Sequence, residues 1–193
     1  FKTYPSLEAQ IAAISDDIAY NNHDIQDGII ANLFNLEELV EINFFKDIYI
    51  RYKKKINKNN YKIAIHQIIR DSIDLMIKDL ISNTKKNLTK LKVDNYKDLK
   101  KSKSLIVDFS KSIKLSENEI RFFLRSKMYN NKDVLKKNSE GKVMIDKLFK
   151  IISNKPSKFI DKNNLNHDKY RAISDFISGM TDRYAINLYK STK

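Results

Sequence analysis

Cysteine is absent from this 193-residue sequence, and glycine and proline are scarce, with three and two residues. The absence of cysteine excludes disulfides and thiolate chemistry, and it fits a cytoplasmic protein. Glycine and proline supply the many turns of β-rich folds, so their scarcity favours long helices. No apolar run approaches the roughly 18 residues of a membrane span. With 41% hydrophobic residues, the chain can bury a core as one folded unit.

Charge is unevenly distributed along the chain. Residues 1–50 hold two lysines and nine carboxylates, a net charge of −7, whereas the whole chain carries +13, which leaves +20 on residues 51–193. A region this basic is expected to bind polyanions such as nucleotides or nucleic acid. Abundant lysine, asparagine and isoleucine are also what AT-rich coding DNA produces, so codon bias explains most of the lysines equally well. Codon bias does not explain the acidic first quarter.

Hydrophobic spacing predicts helices joined by short polar loops, an all-α fold without internal repeats. Pro5 and Ser6 open the first helix, and Asn35 with Glu38 forms a capping box at the second. A second capping box, "SENE", begins at residue 116. The segment "SLIVDFS" at 104–110 is the one plausible strand, and it has no evident partner. The predicted helices span about 6–29, 35–52, 61–84, a short stretch after 94, 116–129, 132–153 and 168–190.

The first predicted helix carries its acids on one face. At about 100° per residue, its leucine and isoleucines form an apolar stripe, and Asp16, Tyr20 and Asp24 fall on the opposite side at i, i+4 and i+8. We call these three residues the acidic line. Asp27 lies on the same side, with His23 beside it. Small alanines continue this face, so we expect another element to cover it and its carboxylates to be partly buried.

Two interpretations of the acidic line stay open on geometry alone. Its acids are solvated or paired with lysines of the basic remainder, or they hold a metal or a substrate. Carboxylates at this spacing repel one another, and buried ones persist when they meet cations, hydrogen-bond donors or a metal. Tyr20 favours the second interpretation, because it offers a ring to stack on and a hydroxyl to donate.

The three histidines do not form a metal site by themselves. His66 on the third helix is interpreted as a packing histidine, and His167 as a solvated residue in a loop rich in asparagine and lysine. The sequence has no HxxxH or HExxH spacing, no Gly-rich phosphate loop and no evident nucleophile–base pair. Histidine alone therefore cannot close a metal site in this chain.

Four blocks of the sequence carry a resemblance to a known family. They are "YPSLEAQIAAISDDIAYNNHDIQDG", "IHQIIRDSIDLMIKDLI", "VDFSKSIKLSENEIRFFLRSKMYNNKDV" and "ISDFISGMTDRYA". In this order they resemble segments of the HD-domain deoxynucleoside triphosphate triphosphohydrolases, the dGTPase-like proteins, and most closely their bacterial branch. The first is similar to the segment with the family's last metal-binding aspartate. The last closely resembles its C-terminal signature.

This resemblance implies an all-α, multi-helix HD-domain-like bundle and a reaction. Water attacks the α-phosphorus of a dNTP, which yields a deoxynucleoside and tripolyphosphate. Matched residue by residue, Asp16 takes the place of the last ligand of a divalent metal, Mg²⁺ or Mn²⁺. Tyr20 matches the residue that packs on the deoxyribose, and Asp24 the one that bonds the 3′-OH. His23 and Arg70 are weaker candidates for a phosphate or an outer contact of the site, and a packing or surface role is the alternative for Arg70.

The resemblance covers the C-terminal portion of such an enzyme. Residues 1–34 would end the HD catalytic core with the last ligand, and residues 35–193 would form the C-terminal helical region of the same single all-helical unit. The family's first His and its His-Asp doublet lie upstream of this segment, and the chain opens at Phe1. We therefore expect the isolated chain to be inactive, because one carboxylate holds a catalytic ion poorly.

Family members generally assemble as oligomers, which implies a homo-oligomer here. Two alternatives belong to other classes: a basic helical module that binds nucleic acid, and a non-catalytic subunit that supplies oligomer contacts. The sequence also departs from the family, since Gln26 replaces an acid and Ile30 an arginine that could bind phosphate or form a salt bridge. Asp182, Arg183 and Tyr184 of the C-terminal signature are predicted to form a structural pair and a packing anchor.

Overall fold

The computed structural model describes residues 4–92, 98–99, 102, 104–165 and 168–192. Within these ranges the chain forms helices and irregular segments, and no strand is present. The prediction of an all-α fold is therefore confirmed. The chain divides into two compact units, residues 1–131 and 132–193. The predicted division into 1–34 and 35–193 refers to the catalytic core of a longer enzyme, and it stays a prediction.

Two long helices, α1 (Leu7–Ile30) and α4 (Tyr61–Leu91), pack together and organise the first unit. The helices α2 (Leu36–Leu39) and α3 (Asn43–Ile50) connect them, and α5 (Lys111–Leu124) packs on α1. One face of α4 is buried, and its residues there are Ile65, Ile68, Ile69, Ser72, Met76 and Leu80. One continuous hydrophobic core therefore joins these helices.

The ends of α1 follow from its flanking residues. The Ser6 hydroxyl accepts a hydrogen bond from the Ala9 amide and caps the first turn, as the sequence predicts. The helix stops where Asn32 adopts a φ of +55°, a left-handed conformation that asparagine tolerates better than most residues. Gly28 lies one turn earlier against the ring of buried Phe34.

The predicted helix over 35–52 is broken into α2 and α3. Its capping box is confirmed, because Asn35 and Glu38 exchange the two expected hydrogen bonds. The break has a physical reason in the spacing of buried apolar residues, which recur every three positions at Leu36, Leu39, Ile42, Phe45 and Ile48. In one straight helix, side chains three residues apart differ in direction by about 60°. Five residues at this spacing would therefore point progressively away from the core. The turn at residues 40–42 returns them all to it.

The predicted strand at 104–110 is wrong. This segment runs irregularly beside α1 and α4, and side chains satisfy its backbone instead of a partner strand. Gln10 Oε1 accepts from the amides of Ile106 and Val107 at 2.9 and 3.1 Å. Asn83 and Asn87 of α4 donate to its carbonyls. The apolar residues that suggested a strand (Ile106, Val107, Phe109) are buried.

Two helix boundaries differ from the prediction. α5 begins at Lys111 rather than at the "SENE" motif, because Asp79 of α4 accepts from the Ser110 amide and fixes the chain there. α4 continues to Leu91, and the next residue, Lys92, caps it with a φ of +49°. The short helix predicted after residue 94 lies largely outside the described residues. No described helix has the length and apolar character required to cross a membrane.

The second unit comprises α6 (Lys132–Asn154), the short α7 (Lys162–Leu165), α8 (Lys169–Ser178) and α9 (Asp182–Ser191). Its core is small and contains Ile152, Ile160 and Ile173. The single helix predicted over 168–190 is wrong, since α8 ends at Gly179 and Thr181 caps α9 by accepting from the Tyr184 amide. Tyr184 is itself exposed, so it is not the predicted packing anchor, and Ala185 is buried instead.

Candidate functional site

The acidic line lies on the side of α1 that faces away from α4. Ile18, Ile25 and Ile29 are buried on the other side, where α1 packs against α4. Asp16 is exposed, Tyr20 is 64% exposed and Asp24 is half-buried. The expectation that a second element covers this face is therefore wrong for Asp16 and Tyr20 in this chain. Ile11 and Ile30 are also exposed, although Ile11 was placed in the apolar stripe.

Asp24 has a partner that the sequence did not predict. The Tyr129 hydroxyl donates a hydrogen bond to Asp24 Oδ2. Tyr129 ends a five-residue π-helical turn, Arg125–Tyr129, which continues α5. Single π-helical turns are rare and frequently mark functional sites. Burial and the bond to Asp24 raise the pKa of Tyr129 to about 12, so this phenol stays protonated and keeps donating at neutral pH.

Arg121 of α5 also contacts α1, through Asp17. Arg121 Nη2 lies 2.9 Å from Asp17 Oδ2, and its Nε contacts Glu117, which is buried and also accepts from Asn21. Burial opposes the charge of Arg121, but Glu117 and Asp17 together raise its pKa, so the guanidinium remains cationic. α5 and the π-helical turn that continues it therefore place a guanidinium and a phenol beside the acidic face of α1.

A pocket of about 260 Å³ opens between α1, α5 and the segment at 104–110. Ala9 and Ala13 line its α1 side, and Asp17, Glu117 and Arg121 line its polar end. The alanines that the sequence suggested for close packing thus leave room beside the irregular segment. Asp17, which lines this pocket, directly follows Asp16 of the acidic line in the chain.

The structure does not bring the weaker candidates together with the acidic line. His23 is exposed on α1. Arg70 is exposed on α4, whose opposite face packs against α1, so Arg70 points away from Asp16. His66 is exposed as well, so its interpretation as a packing residue is wrong. His167 lies outside the described residues.

Sequence reasoning missed Tyr129 and Arg121 as neighbours of the site. The two residues are eight positions apart, the same spacing as Asp16 and Asp24 on α1. The signal available in the sequence was this matching interval, which lies in the third of the four blocks that resemble the family. It was insufficient alone, because the π-helical turn changes the direction in which Tyr129 points.

The residues present fit one ligand of a metal site and no more. Asp16 makes no hydrogen bond or ion pair with any described residue, so its carboxylate is available. Throughout the described ranges, no group of three histidine, aspartate or glutamate side chains is placed to hold a metal ion. Asp24 is engaged by Tyr129. A metal at Asp16 would need its other ligands from outside these residues.

Comparison with known proteins identifies proteins to which this chain is similar. Residues 107–191 match a family model described as a phosphohydrolase-associated domain, and these residues include α5 and Tyr129. Residues 107–191 therefore belong to a helical domain that is associated with phosphohydrolases.

The relatives name the family more narrowly. The chain is 63% identical over 190 residues to the "Deoxyguanosinetriphosphate triphosphohydrolase-like protein" of Pelagibacter ubique, which covers 98% of this chain and 51% of that protein. Proteins of the same description from Leptospira interrogans and Rickettsia typhi are 37% and 34% identical, each over 97% of this chain and about half of their own length. The chain belongs to the dGTPase-like protein family, and it spans about half the length of the curated relatives it matches.

Proposed function

We propose that the full-length protein containing this chain hydrolyses deoxynucleoside triphosphates to deoxynucleoside and tripolyphosphate. The observation that carries the proposal is the acidic line, which stands open on α1 in a chain that matches half the length of dGTPase-like proteins. Its free carboxylate, exposed tyrosine and half-buried aspartate are ordered along one helical face. A cytoplasmic location fits this reaction, because its substrates are there.

Each residue of the acidic line has a separate role in the proposal. Asp16 supplies one ligand of a divalent ion, Mg²⁺ or Mn²⁺, and such an ion, when bound, supplies Lewis-acid polarisation of the phosphate and activation of water. The Tyr20 ring packs on the deoxyribose and leaves little room for a 2′-OH. Asp24 accepts the sugar 3′-OH through Oδ1, since Tyr129 already donates to Oδ2. The Tyr129 bond thus fixes the orientation of the Asp24 carboxylate.

The remaining ligands come from the part of the full-length protein that this chain does not contain. The support is the exposure of Asp16 and Tyr20 together with the exposed apolar Ile30 beside the same face. A packed element that covered them would bury apolar surface and bring its own metal ligands to Asp16. The isolated chain is accordingly inactive in this proposal, and turnover of dNTPs by it would contradict that statement.

Substitutions of Tyr20 in the full-length protein test the proposed function. The Tyr20→Ala variant should lose discrimination between dGTP and GTP, because the ring no longer excludes the 2′-OH, while Tyr20→Phe should keep most of it. The measurement is kcat/KM for both nucleotides. Undiminished discrimination in Tyr20→Ala, or a full-length protein that hydrolyses no dNTP with Mg²⁺ or Mn²⁺, would contradict the proposal.

A second candidate function is binding of nucleic acid. The observation that favours it is the group of exposed lysines around the C-terminal end of α4, comprising Lys85, Lys86, Lys90 and the capping residue Lys92. Binding through such a surface should weaken steeply with salt, roughly in proportion to the phosphates contacted. Fluorescence anisotropy of labelled single-stranded DNA at increasing NaCl tests this candidate, and absence of binding at low salt would exclude it.

A further inference from the structure

The contact between α1 and α4 contains two polar side chains among its apolar ones. α1 buries Asn22 within its isoleucine stripe, and α4 buries Ser72 within its own apolar face. Both residues are fully buried, with 0% exposure. An amide or a hydroxyl in apolar surroundings costs free energy unless a hydrogen bond compensates for the loss of water. The hydrogen-bond partners of these two groups therefore matter for the stability of the contact.

The orientation of the Asn22 amide is fixed by its nitrogen. Nδ2 donates to the Ile18 carbonyl at 2.8 Å and lies 3.6 Å from the Met76 sulfur, a weak acceptor. The reverse orientation would place two oxygens against each other, because a carbonyl oxygen can only accept. Oδ1 is therefore the end of the amide that has no hydrogen-bond partner among the described residues.

The Ser72 hydroxyl lies in the same part of the contact and also has no partner. Ser72 precedes Met76 by one helical turn on the same face of α4. Long side chains lean toward the N-terminus of their helix, so the Met76 sulfur lies over the turn that carries Ser72. The Asn22 amide contacts that sulfur and therefore reaches the level of Ser72. Neither Asn22 Oδ1 nor Ser72 Oγ forms a hydrogen bond with the other or with another described residue.

We propose that one internal water molecule binds here and bridges the two oxygens. The water donates to Asn22 Oδ1 and exchanges a second hydrogen bond with Ser72 Oγ, since a hydroxyl both donates and accepts. Buried waters typically join polar groups that the protein itself leaves unpaired. An ion does not fit, because the buried residues of α1 and α4 include no charged side chain. The site is internal to the first unit, and it does not rest on the proposed hydrolase activity.

The bridge gives a physical reason for two polar groups among isoleucines. A single polar residue in an apolar helix contact can specify one register at a cost in stability, as in coiled coils. A rotation of α1 by one residue, about 100°, would move Asn22 away from Ser72 and the water. The same rotation would redirect the acidic line, which lies on the opposite side of α1. The bridged pair thus holds α1 in the rotation that presents Asp16 and Tyr20.

The sign of a stability change in the 193-residue chain tests for the water. With the bridge, Ser72→Ala should lower the midpoint of urea unfolding, because the water and Asn22 lose a partner. Without it, the substitution removes an unpaired hydroxyl from apolar surroundings and should raise the midpoint. Ser82→Ala, at an exposed position of the same helix, is the matched control and should not lower it.

A second substitution tests whether the two side chains act together. Asn22→Leu, which keeps the shape of the side chain, should also lower the midpoint. The double variant should unfold at a higher midpoint than the sum of the two single effects predicts, since it leaves neither polar group unpaired. Strictly additive effects would show that Asn22 and Ser72 share no water.

A crystal structure provides a test that does not depend on the variants. At a resolution that shows ordered waters, a density peak should lie within hydrogen-bond distance of both Asn22 Oδ1 and Ser72 Oγ. A direct hydrogen bond between the two side chains without such a peak would overturn the proposal. A raised or unchanged midpoint for Ser72→Ala would overturn it as well.

Discussion

Gln10 shows how one side chain can replace a strand partner. Its carbonyl accepts two backbone amides from the segment at 104–110, and its Nε2 donates to the Pro5 carbonyl at 2.8 Å. The side chain is buried. Polar backbone groups in such a place are costly to leave without partners.

The Gln10→Ala variant should therefore lower the free energy of unfolding by roughly 2–4 kcal/mol, since it orphans two buried amides. Gln26→Ala, on the same helix and without a hydrogen bond to any described side chain, should change it by less than about 0.5 kcal/mol. Urea unfolding followed by far-UV circular dichroism measures both. Equal effects of the two substitutions would show that Gln10 does not hold the segment.

The hydrogen bond between Tyr129 and Asp24 leads to a second prediction at the scale of single residues. Burial and the bond to Asp24 raise the pKa of Tyr129 to about 12, above the ordinary value of about 10. Asp24→Asn should lower this pKa, because it removes the carboxylate charge. Ultraviolet titration between pH 9 and 13, with Tyr129→Phe to identify the phenol, measures the shift.

The direction of the associated pH effect on stability follows from this shift. Folded Tyr129 keeps its proton above the pH at which an unfolded tyrosine loses it, so the contribution of the bond is complete below about pH 10 and declines toward pH 12. The Asp24→Asn variant should lose less stability over this interval than the unchanged chain. Identical alkaline titration curves for both would contradict the assigned contact.

At the scale of elements, Gly28 is where α1 accommodates the turn that follows it. A Cβ at this position would overlap the ring of Phe34. That ring is buried and packs edge-to-face on Phe123, with centroids 4.8 Å apart, so it has little freedom to move. Glycine is therefore required by close approach and not by an unusual backbone conformation.

Gly28→Ala should destabilise the first unit by a net of about 1–3 kcal/mol, despite the better helix propensity of alanine. Gly141→Ala in α6 is the matched substitution, because nothing lies within 4 Å of its Cβ position, and it should stabilise the second unit by about 0.5–1 kcal/mol. Denaturant unfolding gives both values. A neutral or stabilising Gly28→Ala would show that Phe34 moves freely.

The elements also show what periodicity could and could not predict. The long helices α1 and α4 and the buried face of α4 follow directly from apolar spacing and capping residues. The break between α2 and α3 was not predicted; the buried residues there recur every three positions, a spacing that drifts around a straight helix. The segment at 104–110 was mistaken for a strand because its partners are side chains that lie far away in sequence.

The candidate site, like the fold, was predictable only where its residues lie on one helix. The acidic line is local to one helix, so helical geometry alone places Asp16, Tyr20 and Asp24 together. Tyr129 comes from more than a hundred residues away through a π-helical turn, and no local pattern specifies that contact. The exposure of Asp16 also could not be predicted from this helix, because it depends on what packs against α1.

At the scale of the whole molecule, the first unit presents the acidic line with Asp16 and Tyr20 exposed and with Asp24 held by a hydrogen bond. Asp16 is free to serve as a ligand, Tyr20 stands in solvent, and Tyr129 holds Asp24 in place. The family relationship and the half-length match to its members support the interpretation that this face completes a phosphohydrolase centre in the full-length protein.

The most direct test of that claim is dGTP turnover and Mn²⁺ affinity of the full-length protein with Asp16→Asn. We expect turnover to fall by at least about 100-fold and Mn²⁺ binding to weaken, because the substitution removes a ligand charge. Glu8→Gln, an exposed acid on the same helix, should leave both unchanged. Turnover and Mn²⁺ affinity of Asp16→Asn within a few-fold of the unchanged protein would contradict the account.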